Sequence, residues 1–512
     1  MRYASRTMNT SRLAMGTALA AVSILTATTS GAAQTVLVVP GTGNPDPTAT
    51  FINREVQNLV TPCQSPPACI QDPINYPASF WPIILFGLKQ LTSDTWNVSV
   101  GTGVKNLIYG YTTPATVTGL PTTHPGLTQA YESDPTGSFY IVGYSQGSTV
   151  VALFKQDYLN NKIPPNPSGA RTILPSLSQL SFFLGADPNR PNGGLFERPG
   201  FFGPFTIPIL NATVGDPAPT NSFGQQANNQ TDKINTEDIA IQYDGVSDFP
   251  EYPLNVLADA NALLGLFLIH PTYVEPKVTS GTGADAHPYG YTVQQFQDDV
   301  SAAESSCTTA NNCQTYGDTQ YITLPTLDLP LLAPLRYLGD KIGLSGVVNP
   351  ALDLIQPMLQ VLIETGYNRT SYGTPTPFQL VIPLNPSAVL GLPAALVKAA
   401  VQGIQDAIGD LNGTRKPDTT PLDPIYSPPA GPPVAATTPV TAAAVKTNAL
   451  KTTTVSTAVV KTAANSATPS ATLPKTPAPK TPPQNPIAKA LSGAVSGAAK
   501  AIRSAINHLH GK

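Results

Sequence analysis

Short apolar runs recur along the chain, separated by longer polar or proline-bearing stretches. Thr35 to Val39 (TVLVV), Phe139 to Val142 (FYIV), Leu180 to Gly185 (LSFFLG) and Ile239 to Tyr243 (IAIQY) are such runs. They are apolar on successive residues and rich in β-branched or aromatic side chains, which predicts strands covered on both faces. Apolar positions spaced near 3.6 residues predict helices over 46–60, from about Leu127 to Glu132, from Ser148 to Phe154 and from Leu254 to Leu268. Ile83 to Leu91 is weakly helical, and Trp96 to Val100 reads as a further strand. Strands alternating with helices predict an α/β fold with a central, mostly parallel sheet, whose reactive groups collect at the carboxyl ends of the strands.

One junction in this pattern carries chemistry. The run ending at Val142 meets the helix beginning near Ser148 through Gly143-Tyr144-Ser145-Gln146-Gly147. A strand, a tight Gly-x-Ser-x-Gly turn and a helix form the setting of a nucleophile elbow, which presents a serine at the tip of a strand. The helix N-terminus behind it adds partial positive charge where a negative oxygen would develop.

Composition changes the picture at the two ends. The chain has 512 residues, 54 prolines and only 12% charged residues. A net charge of −3 excludes a general electrostatic case for nucleic acid. Arg2, Arg6 and Arg12 precede an apolar run from Leu13 to about Ala27, followed by Ser30-Gly31-Ala32-Ala33. This is the pattern of a secretory signal over residues 1–33, with an uncleaved anchor as the alternative. Residues 34–412 read as the folded domain. Its last part, 320–412, is apolar and proline-punctuated, either a lid or acyl-binding cap or additional core. Residues 413–486 are mostly Pro, Thr, Ala and Lys, an extended spacer. Residues 487–512 regain a helical stripe with Lys489, Lys500 and Arg503, either a weakly ordered, Ala-rich tail, since the anchor residues are small, or a helix that contacts an envelope or membrane surface. Four cysteines allow three pairings; the simplest joins Cys63 to Cys69 and Cys307 to Cys313, in keeping with export. A zinc site fits poorly, because the spacing is wrong and no histidine lies near. No metal or other cofactor is implied.

A serine needs a base within hydrogen-bond reach. In the order serine, acid, histidine, His270 and His287 are the candidates, and His270, closing an apolar helix, is the better placed. The acid is to be sought in the loops after the later strands: Asp248 first, with Asp244 and Asp187 as alternatives. The oxyanion of an acyl-transfer intermediate needs two donors, for which the backbone N–H of Gln146 and Thr42 in the first-strand loop are placed.

Taken together, VVPGTGNPDP, PASFWP, GYSQGS, LSFFLGADPNRPNGG, YDGVSDFPEYPLNVLADANALLGLFLIHPTY and IETGYNR resemble the PE-PPE domain of actinobacterial, chiefly mycobacterial, envelope proteins. The resemblance covers most of residues 35–410. Around GYSQG the chain is also similar to cutinases. It implies an α/β-hydrolase fold acting on lipid or other acyl esters through Ser145, Asp248 and His270, with Thr42 and Gln146 as oxyanion donors. The expected activity is a secreted serine esterase or lipase; the alternatives are an acyltransferase between envelope glycolipids such as acylated trehalose, and a non-catalytic envelope-binding protein. No PE or PPE leader is recognised ahead of the domain, and the signal-like segment stands in its place.

Overall fold

The computed structural model of the chain describes residues 34–64, 69–83, 94–113, 122–220, 234–274, 278–280, 287–288, 291–308, 312–326, 328–380 and 386–414. The expected signal at 1–33, the weak helix over most of 83–91, the spacer beyond Thr414 and the basic helix at 487–512 lie outside these residues. Strands β1 (Gln34–Val39), β2 (Ile70–Pro73), β5 (Ser138–Tyr144), β6 (Leu180–Gly185), β9 (Asn235–Ile241), β12 (Cys313–Tyr316) and β13 (Thr319–Leu324) make one sheet in the order β12-β13-β9-β6-β5-β1-β2. Every neighbouring pair is parallel except β12 with β13. Three ribbons stand apart: β3 (Tyr111–Thr113) with β4 (Thr122–His124), β7 (Phe205–Ile207) with β8 (Ala212–Val214), and β10 (Val278–Ser280) with β11 (His287–Pro288). The helices are α1 (Ala49–Leu59), α2 (Trp96–Tyr109), α3 (Leu127–Ser133), α4 (Gln146–Leu159), α5 (Val256–Leu268), α6 (Val293–Ser305), α7 (Ala333–Lys341), α8 (Ser345–Glu364) and α9 (Pro386–Leu411).

Strand β1 shows why the strand runs are apolar at every position. Val36 and Val38 enter a core shared with Ile52 and Val56 of α1 and Phe296 of α6. Leu37 and Val39 enter the opposite core, with Val104 and Leu107 of α2 and Val150 and Phe154 of α4. A parallel sheet with helices on both sides leaves no polar face, so the period-2 alternation of a half-exposed strand is absent.

One feature differs from the sequence expectation. Trp96 to Val100 is the start of α2, not a strand: Trp96, Val100, Val104 and Leu107 recur at helical spacing and are all buried. The β-branched Val98 and Val100 suggest a strand locally, and burial over three turns overrides that preference. The 320–412 segment opens inside the sheet, since β13 runs to Leu324. The rest of it, α7 to α9, forms a helical layer in which α8 packs on α9, α7 and α5. Among the described helices α8 alone is long and apolar enough to cross a membrane by length and composition. Both cysteine pairs are disulfides, Cys63–Cys69 with Cα atoms 5.5 Å apart and Cys307–Cys313 at 4.8 Å.

Glu55 on α1 is fully buried, and neither carboxyl oxygen has a hydrogen-bond partner among the described residues. Burial pushes its carboxyl well above the ordinary value of 4.5. Below that value the group is protonated folded or unfolded and adds no pH dependence to stability. As pH rises the unfolded chain sheds the proton first, so the folded state loses relative stability until its own raised pKa is passed. The Glu55→Gln variant is therefore expected to match the wild type near pH 4 and to melt at progressively higher temperature than it towards pH 8. Thermal melts across that range check this.

Candidate active site

Strand β5 ends at Tyr144 and α4 begins at Gln146, so Ser145 alone makes the turn. Its φ of 56° and ψ of −119° lie where non-glycine residues are strained, at a cost on the order of 1–3 kcal/mol. The flanking glycines follow from the same geometry. A Cβ on Gly143 would sit 2.4 Å from the Gly147 backbone, and one on Gly147 only 1.9 Å from the Val39 carbonyl oxygen. The turn is fastened to β6: Ser145 N–H donates to Gly185 O at 2.9 Å, and the Ser148 hydroxyl lies 2.7 Å from Gly143 O and 2.8 Å from Gly185 O.

Helix α5 crosses the carboxyl end of β9. A Cβ on Gly265 would meet Tyr243 O at 1.9 Å and one on Gly245 would meet Ala262 O at 2.3 Å, so the helix and the β9–α5 loop touch backbone to backbone. The 3-10 turn His270–Tyr273 that follows α5 brings His270 to the serine. His270 Nε2 is 2.9 Å from Ser145 Oγ, and Nδ1 is 3.1 Å from both carboxylate oxygens of Asp244. An ionised carboxylate only accepts, so Nδ1 carries the hydrogen and Nε2 is the lone pair facing the serine hydroxyl. The Tyr144 hydroxyl donates to His270 O at 2.7 Å and its ring stacks on the imidazole, centroids 5.2 Å apart.

Asp244 is fully buried, and its carboxylate is held from several sides. It accepts the Val246 N–H at 3.0 Å, the Ser247 hydroxyl at 2.8 Å and the Tyr273 hydroxyl at 3.2 Å. Tyr273 in turn accepts the Ile241 N–H at 2.6 Å. Burial first, then the Asp244 charge, push the Tyr273 phenol well above its ordinary value, so it stays a donor.

Asp248, the acid expected from sequence, does not face His270. One of its oxygens accepts the Tyr243 N–H at 2.8 Å and the other pairs with Arg369 Nη1 at 2.5 Å. The reason is local. Tyr243 has a φ of 66°, so the chain reverses immediately after β9 and the first acidic residue, Asp244, meets the imidazole. The loop then closes a turn, Asp248 N–H donating to Asp244 O at 2.8 Å, which sets Asp248 behind it. Arg369 also binds Glu364 through two contacts of 3.1 Å, completing a buried acid–base–acid cluster. Asp187 stands apart too: it is fully buried and accepts the Asn189 N–H at 2.9 Å, while burial first, then the Asp238 charge, raise its pKa well above the usual range. His287 falls in β11, with its side chain outside the described residues.

The first-strand loop lies against the serine. A Cβ on Gly41 would come within 3.1 Å of Ser145 Cβ, which sets Thr42 at the edge of the site. Gln146 is the first residue of α4, where N–H groups have no intrahelical partner. Its side chain is engaged elsewhere, accepting from Ser99 Oγ at 3.2 Å and donating to Ser79 O at 2.9 Å, so only its backbone can serve the site. Among the described residues no group of His, Cys, Asp and Glu could hold a metal ion.

Comparison with known proteins extends this geometry. The PE-PPE domain description matches residues 67–368. PPE42, an uncharacterized PPE family protein of Mycobacterium tuberculosis, is 34% identical over 386 residues, which are 74% of this chain and 52% of that protein. The esterase PE16 of the same species is 35% identical over 275 residues, 52% of this chain and 42% of that protein. Its diacyltrehalose acyltransferase Chp2 is 28% identical over 347 residues, 65% of this chain and 75% of that protein. The chain thus spans about half the length of PPE42 and less of PE16. No solved structure matches it. With the domain description matched over more than half of its residues, the chain belongs to the PE-PPE domain family.

Proposed function

We propose that the chain is a serine-dependent enzyme acting on acyl esters, with Ser145 as nucleophile, His270 as general base and acid, and Asp244 as the residue that orients and stabilises the imidazole. The observation that carries this reading is the continuous chain from Ser145 Oγ through the imidazole to Asp244, with links of 2.9 and 3.1 Å. Ser145 Oγ attacks the ester carbonyl while His270 Nε2 takes its proton, and the imidazolium formed is balanced by Asp244. The backbone N–H groups of Gln146 and Thr42 are the donors for the tetrahedral oxyanion. His270 then gives the proton to the departing alcohol, leaving an acyl group on Ser145. A second hydroxyl, from water or from an acceptor alcohol, removes the acyl group by the reverse sequence.

Hydrolysis is the first reading, in line with the likeness to an esterase. Transfer to an acceptor is the second, favoured by the likeness to a diacyltrehalose acyltransferase. The hydrogen-bonded serine and histidine speak against a binding protein without catalysis. Two disulfides fit an oxidising compartment and support the reading of residues 1–33 as an export signal. The decisive experiment gives the wild type a series of nitrophenyl acyl esters with and without trehalose. Free acid in both conditions supports hydrolysis, and acylated sugar supports transfer. Neither product, together with no labelling by a fluorophosphonate, refutes the enzymatic reading.

A further inference from the structure

Two segments at the carboxyl edge of the sheet expose apolar side chains where a water-facing surface would carry polar ones. The first is the β7–β8 ribbon and the loop before it, where Phe202 is 91% exposed and Ile209 is 74% exposed. Phe201, beside Phe202 with ring centroids 4.5 Å apart, is also exposed. The second is the start and outer side of α5, with Leu254, Val256 and Leu263 exposed, Val256 at 73%. A helix apolar on all sides is ordinarily buried, yet α5 buries only the side bearing Ala258, Asn261, Ala262 and Gly265.

These two segments spring from interlocked loops beside the site. Leu195 N–H donates to Val246 O at 2.8 Å, Phe249 N–H donates to Gly193 O at 2.7 Å, and Arg198 Nε donates to Phe249 O at 3.0 Å. The ribbon grows from one of these loops. The other holds Asp244 and leads into α5, which is followed by the turn bearing His270. Residues 199–209 carry no charge, and residues 254–268 carry only Asp259, whose carboxyl burial pushes up to about 6. A protein partner held by ion pairs finds nothing to grip here, nor does an anionic headgroup layer.

We infer that the β7–β8 ribbon and the outer side of α5 form a docking face for the apolar layer of a lipid surface. The proposal rests on the acyl-ester reading above, because such a face would set Ser145 at the boundary where the acyl chains of aggregated esters lie. Apolar side chains entering the acyl boundary supply the affinity, which is therefore insensitive to salt.

The full chain should float with vesicles of neutral phosphatidylcholine in molar salt. The variants Phe202→Ser/Ile209→Ser and Val256→Ser/Leu263→Ser should each lower the bound fraction at least about tenfold. They should lower turnover of a long-chain ester carried in those vesicles in parallel, while turnover of a soluble acetyl ester stays within about twofold of wild type. Failure of the wild type to float overturns the proposal. So does a wild type that self-associates through this face, its dimer dissolved by the substitutions with vesicle binding unchanged. A wild type that floats but turns over no soluble ester upholds the docking face and removes the serine-esterase reading instead.

Discussion

Ser145→Ala is expected to abolish turnover of nitrophenyl esters, with a loss on the order of 10⁴-fold or more, while the melting temperature stays close to wild type. The side chain is small, and the contacts that hold the turn belong to its backbone and to Ser148. Removing one hydroxyl therefore takes the proposed nucleophile without loosening β5, α4 or the turn between them. Rates of ester cleavage and fluorophosphonate labelling check this alongside a thermal melt. Unchanged turnover in a folded variant would refute the role given to Ser145.

The second large effect separates two aspartates four residues apart. Asp244→Asn keeps the shape of the side chain but replaces a pure acceptor with a group that can also donate. The Nδ1 hydrogen loses its anionic partner, and the imidazolium formed during attack loses its counter-charge. A fall in kcat on the order of 10³–10⁴-fold follows, with little change in KM. Asp248→Asn is expected to do the opposite. It removes the charge opposite Arg369, whose buried guanidinium also binds Glu364. Breaking a buried pair costs about 3 kcal/mol, so this variant should melt early yet keep its remaining folded fraction active within about tenfold of wild type. Paired kinetics and denaturant unfolding read both effects. Equal catalytic loss in the two variants would return Asp248 to the site.

The sheet strands nearest the serine are legible in the sequence because they are short apolar runs, and Ser145 and His270 are legible because each closes a regular element. Other parts hide for physical reasons. Strand β2 is a four-residue edge ending at Pro73, with no apolar run to mark it. Strand β13 reads TQYITL, polar at its start, and becomes central only because β12 folds back antiparallel beside it. The choice between Asp244 and Asp248 turns on the positive φ of Tyr243 and on Arg369, which lies 121 residues away along the chain. A signal for the latter did exist. In a chain with so few charges, a buried arginine is a candidate partner for a buried carboxylate, and Arg190–Asp238 and Arg336–Asp353 repeat the same device, whereas buried Arg198 is held by the carbonyl oxygens of Phe249 and Thr376 and by Asn192.

The placement of β1 and Arg369 bears on where this domain can be cut. The family match begins at residue 67 and stops at 368. A fragment trimmed to those limits would lose β1, the strand lying between β5 and β2, and with it the Gly41–Thr42 loop that rests on the serine. It would also end one residue short of the guanidinium that neutralises Asp248, leaving a buried anion beneath the loop that presents Asp244. For expression, domain grafting or library design, a fragment that keeps these contacts starts no later than Gln34 and includes Arg369.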